Sequence, residues 1–245
     1  MKVTLLKEES MKKLCVIIAV LLTVCTLLPC ATNCSQADVI PTLVNEVNSS
    51  ALLDTLIFLT SYSSRSSYAV QEEVLAYIGA GLDDAGAAIR LHEYEYDGQT
   101  WHNLVATVPA DASLEPGEPH LVVGAHIDSV GPSPGADDNA SGVAAVMETA
   151  RVLASAELIT RVDFVFFTQE ELGQIGSSNY AADAKAAGEA IEAMIAVDMV
   201  GFGSPDEDLD LVTKPDMPWI AEAFKEGSDT YTTLNTVLVL DWACG

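Results

Sequence analysis

The chain is short of positive charge. Of its 245 residues only 11 are Lys or Arg, against 36 Asp or Glu, a formal net charge of −25. Such a chain repels phosphate backbones, which excludes nucleic acid as a partner, and it repels anionic membrane surfaces too. Cysteine is scarce and unevenly placed: Cys15, Cys25, Cys30 and Cys34 precede residue 35, and only Cys244 follows. That last cysteine is either buried and inert or lacks its partner. No internal repeat and no linker is visible. With 49% hydrophobic residues the chain can bury one sizeable core, so one domain is the natural count.

What is present begins with a targeting segment. Residues 1–10 (MKVTLLKEES) fit nothing that follows and form an N-terminal extension. Met11-Lys12-Lys13 opens a charged region, Leu14 to Leu28 is apolar, and Ser35-Gln36-Ala37 supplies small residues at both positions a signal peptidase reads. Residues 11–37 therefore predict a secretory signal peptide cleaved after Ala37, and an extracellular protein without stable membrane contact. The alternative is an uncleaved membrane anchor, because the run reaches the lower limit for spanning a bilayer. Removing residues 1–37 takes away four basic residues (Lys2, Lys7, Lys12, Lys13) and two acidic ones (Glu8, Glu9). Seven basic residues then face 34 acidic ones, a net charge near −27.

The centre of the chain is His120 to Gly142, HLVVGAHIDSVGPSPGADDNASG. Leu121 to Ala125 has the length and character of a buried strand. At its end His126 and Asp128 stand two residues apart, on the same side of an extended chain. After a Gly/Pro/Ser loop, Asp137, Asp138 and Asn139 precede a helical pattern from about Ala140. Two more apolar strands follow the same plan: Arg161 to Thr168 leads to Glu170 and Glu171, and Met194 to Val197 leads to Asp198. Three strands thus deliver an imidazole and several carboxylates to their C-terminal ends, where sites form in open α/β sheets. Any one carboxylate at a strand end can be a solvated loop residue. A cluster is different, because the nearest basic residues in sequence, Arg151, Arg161 and Lys185, lie off the strand ends. Unpaired acids would repel each other, and a dication removes that cost.

VVGAHIDSV, PGADDNASG, TQEELG and AVDM, in this order and spacing, resemble the M28 family of zinc aminopeptidases over roughly residues 50–245. The resemblance implies a secreted exopeptidase with two zinc ions, acting on peptides with a free N-terminus. It implies His126, Asp138, Glu171 and Asp198 as metal ligands, with Asp138 bridging both ions through a carboxylate aimed by a cis peptide to Asn139. Asp128 would orient the His126 ring, and Glu170 would be the general base. The family's last ligand is a second histidine further downstream. The chain stops at Trp242-Ala243-Cys244-Gly245 before such a residue, so residues 38–245 are expected to be an incomplete domain. Related readings are a carboxypeptidase or aminoacylase of the same fold, a glutaminyl cyclase with one zinc, and a non-catalytic receptor-type domain.

The remaining pattern predicts an α/β fold: a mixed, mostly parallel sheet with helices on both faces, of the zinc exopeptidase type. A helix is expected over Pro41–Tyr62 and another over Ala69–Ala85. The strands Ile89–Tyr96 and Trp101–Val108 turn through Asp97-Gly98 and belong at an antiparallel edge. His92, His102 and His120 lie away from the motif-bearing strand ends and make poor ligands. Val143–Leu153 and about Ser178–Ala187 are helical, Gly201–Pro205 is a loop beside the site, and Leu209–Thr213, Trp219–Glu226 and Thr233–Leu240 are strand, helix and strand.

Few of the acids are needed for a site, so most coat the surface. A salt-rich habitat, where cations screen that repulsion, is the natural setting. The melting temperature should therefore rise between low and molar salt. A flat or falling profile in a thermal scan would remove the halophilic reading.

Overall fold

The structure is a computed structural model describing residues 36–115, 117–158, 160–201, 208–232 and 234–241. Expectations for residues 1–35, for positions 202–205 and for the segment from Trp242 to Gly245, Cys244 included, fall outside the described residues. No helix among the described residues is long and apolar enough to cross a membrane.

Where one helix over Pro41–Tyr62 is expected, there are two: α1 (Gln36–Asn45) and α2 (Ser49–Thr60). The break has a local cause. Asn48 caps α2, its side chain accepting from the N–H groups of Ser50 and Ala51. Its own N–H donates to Glu148 Oε1 at 2.6 Å. Helix α3 (Tyr68–Asp84) buries Val74, Ile78 and Leu82 on one face, the stripe its sequence spacing predicts. The hairpin β1 (Ala88–Tyr96) and β2 (Gln99–Val108) turns at Asp97-Gly98, both in the left-handed region. Then come β3 (His120–His126), α4 (Ala140–Ala154), β4 (Arg161–Phe167), α5 (Ile175–Ala187) and β5 (Ile191–Ala196).

These five strands form one sheet in the order β1-β2-β4-β3-β5. β3, β4 and β5 are parallel, and β2 joins β4 antiparallel with β1 as the edge, where the sequence placed the hairpin. From β3 the chain crosses one way through α4 to β4. It then crosses back over β3 through α5 to β5. Crossovers of fixed hand made in opposite directions put their helices on opposite faces. Leu121, Val123 and Ala125 accordingly pack with α2, α3 and α4 in the main core, while Val122 joins Val165, Phe167 and Tyr180 of α5 on the other face.

β6 (Leu209–Thr213), α6 (Trp219–Tyr231) and β7 (Thr236–Leu240) form a separate unit, a two-stranded parallel sheet. Leu211, Ala221 and Phe224 tie it to the main core. The last strand, expected from Thr233, begins at Thr236; before it the Ser228 hydroxyl donates to the Leu234 carbonyl and the Leu234 N–H donates to the Thr232 hydroxyl.

One polar knot sits in the sheet far from the motif-bearing ends. Asp163 of β4 is fully buried and accepts from Arg161 Nε at 2.9 Å, Arg161 Nη2 at 2.5 Å, Arg90 at 3.1 Å and Thr107 at 2.8 Å. Burial alone would raise its pKa, but the hydrogen bonds and charges of Arg161, Thr107 and Arg90 outweigh it and hold the carboxyl below its ordinary value. A depressed folded pKa stabilises the fold above the unfolded value, about 4, and that share is lost as pH falls through the folded value. Asp163→Asn should therefore cost about 3–5 kcal/mol at pH 7 and flatten the loss of stability below pH 4. Urea unfolding at the two pH values reads both effects.

Candidate metal centre

The C-terminal ends of β3, β4 and β5 meet where the crossovers diverge, and the acidic motifs lie there. His126 is the last residue of β3 and is 6% exposed. Its Nε2 lies 3.2 Å from Asp138 Oδ1 and 3.6 Å from Asp198 Oδ1, and its Nδ1 lies 3.5 Å from Asp128 Oδ1. His126, Asp138 and Glu171 each present one atom within 4.8 Å of the others. The structure thus brings His126, Asp138, Glu171 and Asp198 to one place. Asp138 and Asp198 remain about half open to solvent, at 45% and 54% side-chain exposure, so the cluster is reachable from outside.

Each element aims its residue by a specific device. The Asp128 carboxylate is buried and accepts from the N–H groups of Glu170 and Glu171, both at 3.0 Å. One side chain after β3 therefore fixes the backbone after β4. Glu170 and Glu171 do not continue the strand. Gln169 adopts φ 59°, and Gly173 and Gln174 N–H groups close onto the Glu170 carbonyl, so the pair sits in a turn. Behind it, Asn103 accepts from the Thr168 N–H at 3.0 Å and donates to the Gly176 carbonyl at 2.9 Å. The Tyr94 and Thr168 hydroxyls lie 2.8 Å apart.

The two adjacent aspartates have different tasks. Asp137 accepts from Ser141 and from the Gly201 N–H, tying the helix start to the segment after β5. Asp138 is left facing His126. The Asp138–Asn139 peptide is cis. Asn139 is fully buried, caps α4 through Gly142 N–H at 3.0 Å, and donates to the Val197 carbonyl beside Asp198 at 2.9 Å. Met199, on the other side of Asp198, has φ 49°.

Two residues that sequence reasoning passed over complete the surroundings. Arg65, between α2 and α3, is fully buried and places a cation among these acids. The signal was its isolation, as the one basic residue between Lys13 and Arg90. Asn139 was visible only as a residue ahead of the helical pattern, and its bond to Val197 just after β5 was not.

Charge in the cluster is strained without a counter-ion. Burial, and the neighbouring Asp128, Asp198 and Asp138, raise the pKa of Glu170 despite His126; burial and the neighbouring acids do the same for Glu171. Burial pushes His126 down, but Asp128 and Asp198 overcome it and raise its pKa to about 10. The donors suit zinc. One Nε2–H cannot serve Asp138 and Asp198 equally, and Glu171 Oε1 is buried without a hydrogen-bond partner among the described residues. A tetrahedral zinc with bonds of about 2.0–2.1 Å spaces its ligand atoms about 3.3 Å apart, close to the His126 distances.

The other histidines are held elsewhere. His92 lies 3.1 Å from Asp183 and His102 2.9 Å from Glu72. His120, Asp163 and Glu189 form a second compact trio, but Arg161 and Arg90 already engage its carboxylates, so a cation there would displace guanidinium groups.

The family model described as Peptidase family M28 matches residues 103–238. Leucine aminopeptidase 1 of Coccidioides posadasii is 27% identical over 236 residues, covering 85% of this chain and 59% of that protein. Among solved structures, the LapA aminopeptidase of Legionella pneumophila has a TM-score of 0.71 at 20% identity, over 87% of this chain and 61% of that one. A glutaminyl cyclase of Porphyromonas gingivalis has a TM-score of 0.61 at 22% identity, over 80% and 77%. The chain spans about three fifths of the length of the curated relative and of LapA.

Gly142 tests how tightly the site is built. A Cβ there would meet Asn139 Oδ1 at 2.3 Å and the Val197 carbonyl at 2.4 Å, so the helix and β5 touch through this glycine. Gly142→Ala should cost about 1–3 kcal/mol in urea unfolding. An unchanged midpoint would show that the contact is loose.

Proposed function

Because the chain belongs to peptidase family M28, we propose that it acts as a zinc-dependent exopeptidase that hydrolyses the first peptide bond at a free N-terminus. The observation that carries this reading is the convergence of His126, Asp138, Glu171 and Asp198 at three parallel strand ends, with Glu170 alongside. These four residues would hold zinc. When bound, zinc polarises the scissile carbonyl and acidifies water.

The protein groups do the rest. Glu170 takes a proton from the attacking water and passes it to the departing amine. Standing beside the four ligands and not among them, its carboxylate is free to accept and release a proton. Asp128 faces the Nδ1 side of His126, leaving Nε2 for the cation, and its grip on the Glu170 and Glu171 N–H groups keeps base and ligand in register. Peptides with a free N-terminus are the substrates. Residues 11–37 would direct the protein out of the cell, where an acidic coat suits salt.

Leucyl-anilide and its N-acetylated form discriminate the direction of attack. Chelation should abolish release from the free-amine substrate and zinc should restore it, with the acetylated substrate untouched. Glu170→Gln should lower turnover about 10²–10⁴-fold while zinc uptake is kept. Cleavage of the blocked substrate, or cyclisation of an N-terminal glutamine in place of hydrolysis, would overturn the aminopeptidase reading.

A further inference from the structure

Arg65 has no part in the chemistry above, yet it is the largest fully buried side chain of the fold. Its guanidinium is turned toward backbone carbonyls. Nε donates to the Ile127 carbonyl at 2.6 Å, Nη1 to the Leu59 carbonyl at 3.3 Å and to that of Pro134, and Nη2 to the Gly135 carbonyl at 3.1 Å. Its backbone N–H donates to Ser129 Oγ at 2.9 Å, and that hydroxyl donates on to the Ser133 carbonyl at 2.8 Å. Ile127, Ser129, Ser133, Pro134 and Gly135 all belong to the loop that joins His126 to Asp138. The loop is wound round the arginine side chain.

The winding reaches Asp138 itself. The Gly135 carbonyl also accepts from the Ala140 N–H at 3.0 Å, in the first turn of α4. Gly135 has φ 54°, and a Cβ there would stand 2.2 Å from the Asp138 carbonyl and 2.9 Å from Arg65 Nη2. Guanidinium, Gly135 and the Asp138 backbone are therefore stacked without slack. We infer that Arg65 is a positioning residue for the cation site, setting the loop so that Asp138 faces His126 before an ion arrives.

Charge supports the same role. Burial lowers the pKa of Arg65 to about 10, against the pull of Asp128, Asp138 and Glu171, so it stays cationic at neutral pH. A fixed positive charge near the carboxylates offsets part of their mutual repulsion. Lysine would keep the charge but not the planar fork that reaches several carbonyls at once.

The inference rests on the zinc reading of this cluster, and its test separates the two. Zinc titration by calorimetry on the full chain gives the affinity, cobalt absorption reports the ligand geometry, and melting of the metal-free protein reports folding. Arg65→Lys should weaken zinc about 10-fold and Arg65→Met about 100-fold, the span seen when groups supporting metal ligands are removed, with an altered cobalt spectrum. If Arg65→Met does not fold, Arg65→Lys carries the test. A folded variant with parent affinity and parent cobalt spectrum would reduce Arg65 to a loop staple and overturn the inference alone. A parent protein that takes up neither metal would overturn the zinc reading and the inference with it.

Discussion

Mutual repulsion of carboxylates at the end of one sheet is the constraint on which the rest of this structure depends. Asp128, Asp138, Glu170, Glu171 and Asp198 occupy the space around a single imidazole. Left free, such groups would swing apart or take up protons. They are held instead by backbone donors to Asp128, by the winding of a loop on Arg65, and by Asn139 bonded to both α4 and β5. Burial and the repulsion that remains raise the pKa values of Glu170 and Glu171, while attraction to Asp128 and Asp198 raises that of His126. A site with unrelieved negative charge and a donor nitrogen is poised for a dication.

The sheet topology makes that gathering possible. Crossing one way from β3 and back the other way opens a crevice at the C-terminal ends, and the chain passes it three times. Each pass is locked to another. The β3 loop holds the β4 loop through Asp128, and the start of α4 holds β5 through Asn139 and Asp137. Residues distant in sequence, such as Asn139 and Val197, become direct partners. A displacement in one strand end is felt at the others, which is why a methyl group at Gly142 is so poorly accommodated.

Cations are few, and the four arginines engage mostly buried acceptors. Arg161 and Arg90 engage Asp163, Arg151 engages the nearly buried Glu148 and the Glu46 carbonyl, and Arg65 engages loop carbonyls. The acidic surface is thus left with little internal compensation. Interior electrostatics are settled by geometry, and those of the exterior by solvent and salt.

Much was legible in order of residues. The period of apolar positions marked the strands and most helices, Asp97-Gly98 marked the hairpin, and imidazole and carboxylates at three strand ends marked the candidate site, because local patterning and strand polarity are written residue by residue. The break between α1 and α2 was less visible, since Asn48 stands among several polar residues and its backbone bond to Glu148 comes from far along the chain. The choice between Asp137 and Asp138 could be suggested by resemblance, but the partners Ser141 and Gly201 distinguish them physically. Arg65 showed only its isolation: a lone arginine in a serine-rich loop looks solvated until the loop from Ile127 to Gly135 closes round it. Sequence by itself determined which side chains were on offer and which strand ends carry them. Only the tertiary structure decided which of them meet, because hydrogen bonds and charges act over a few ångströms of space whatever the distance along the chain.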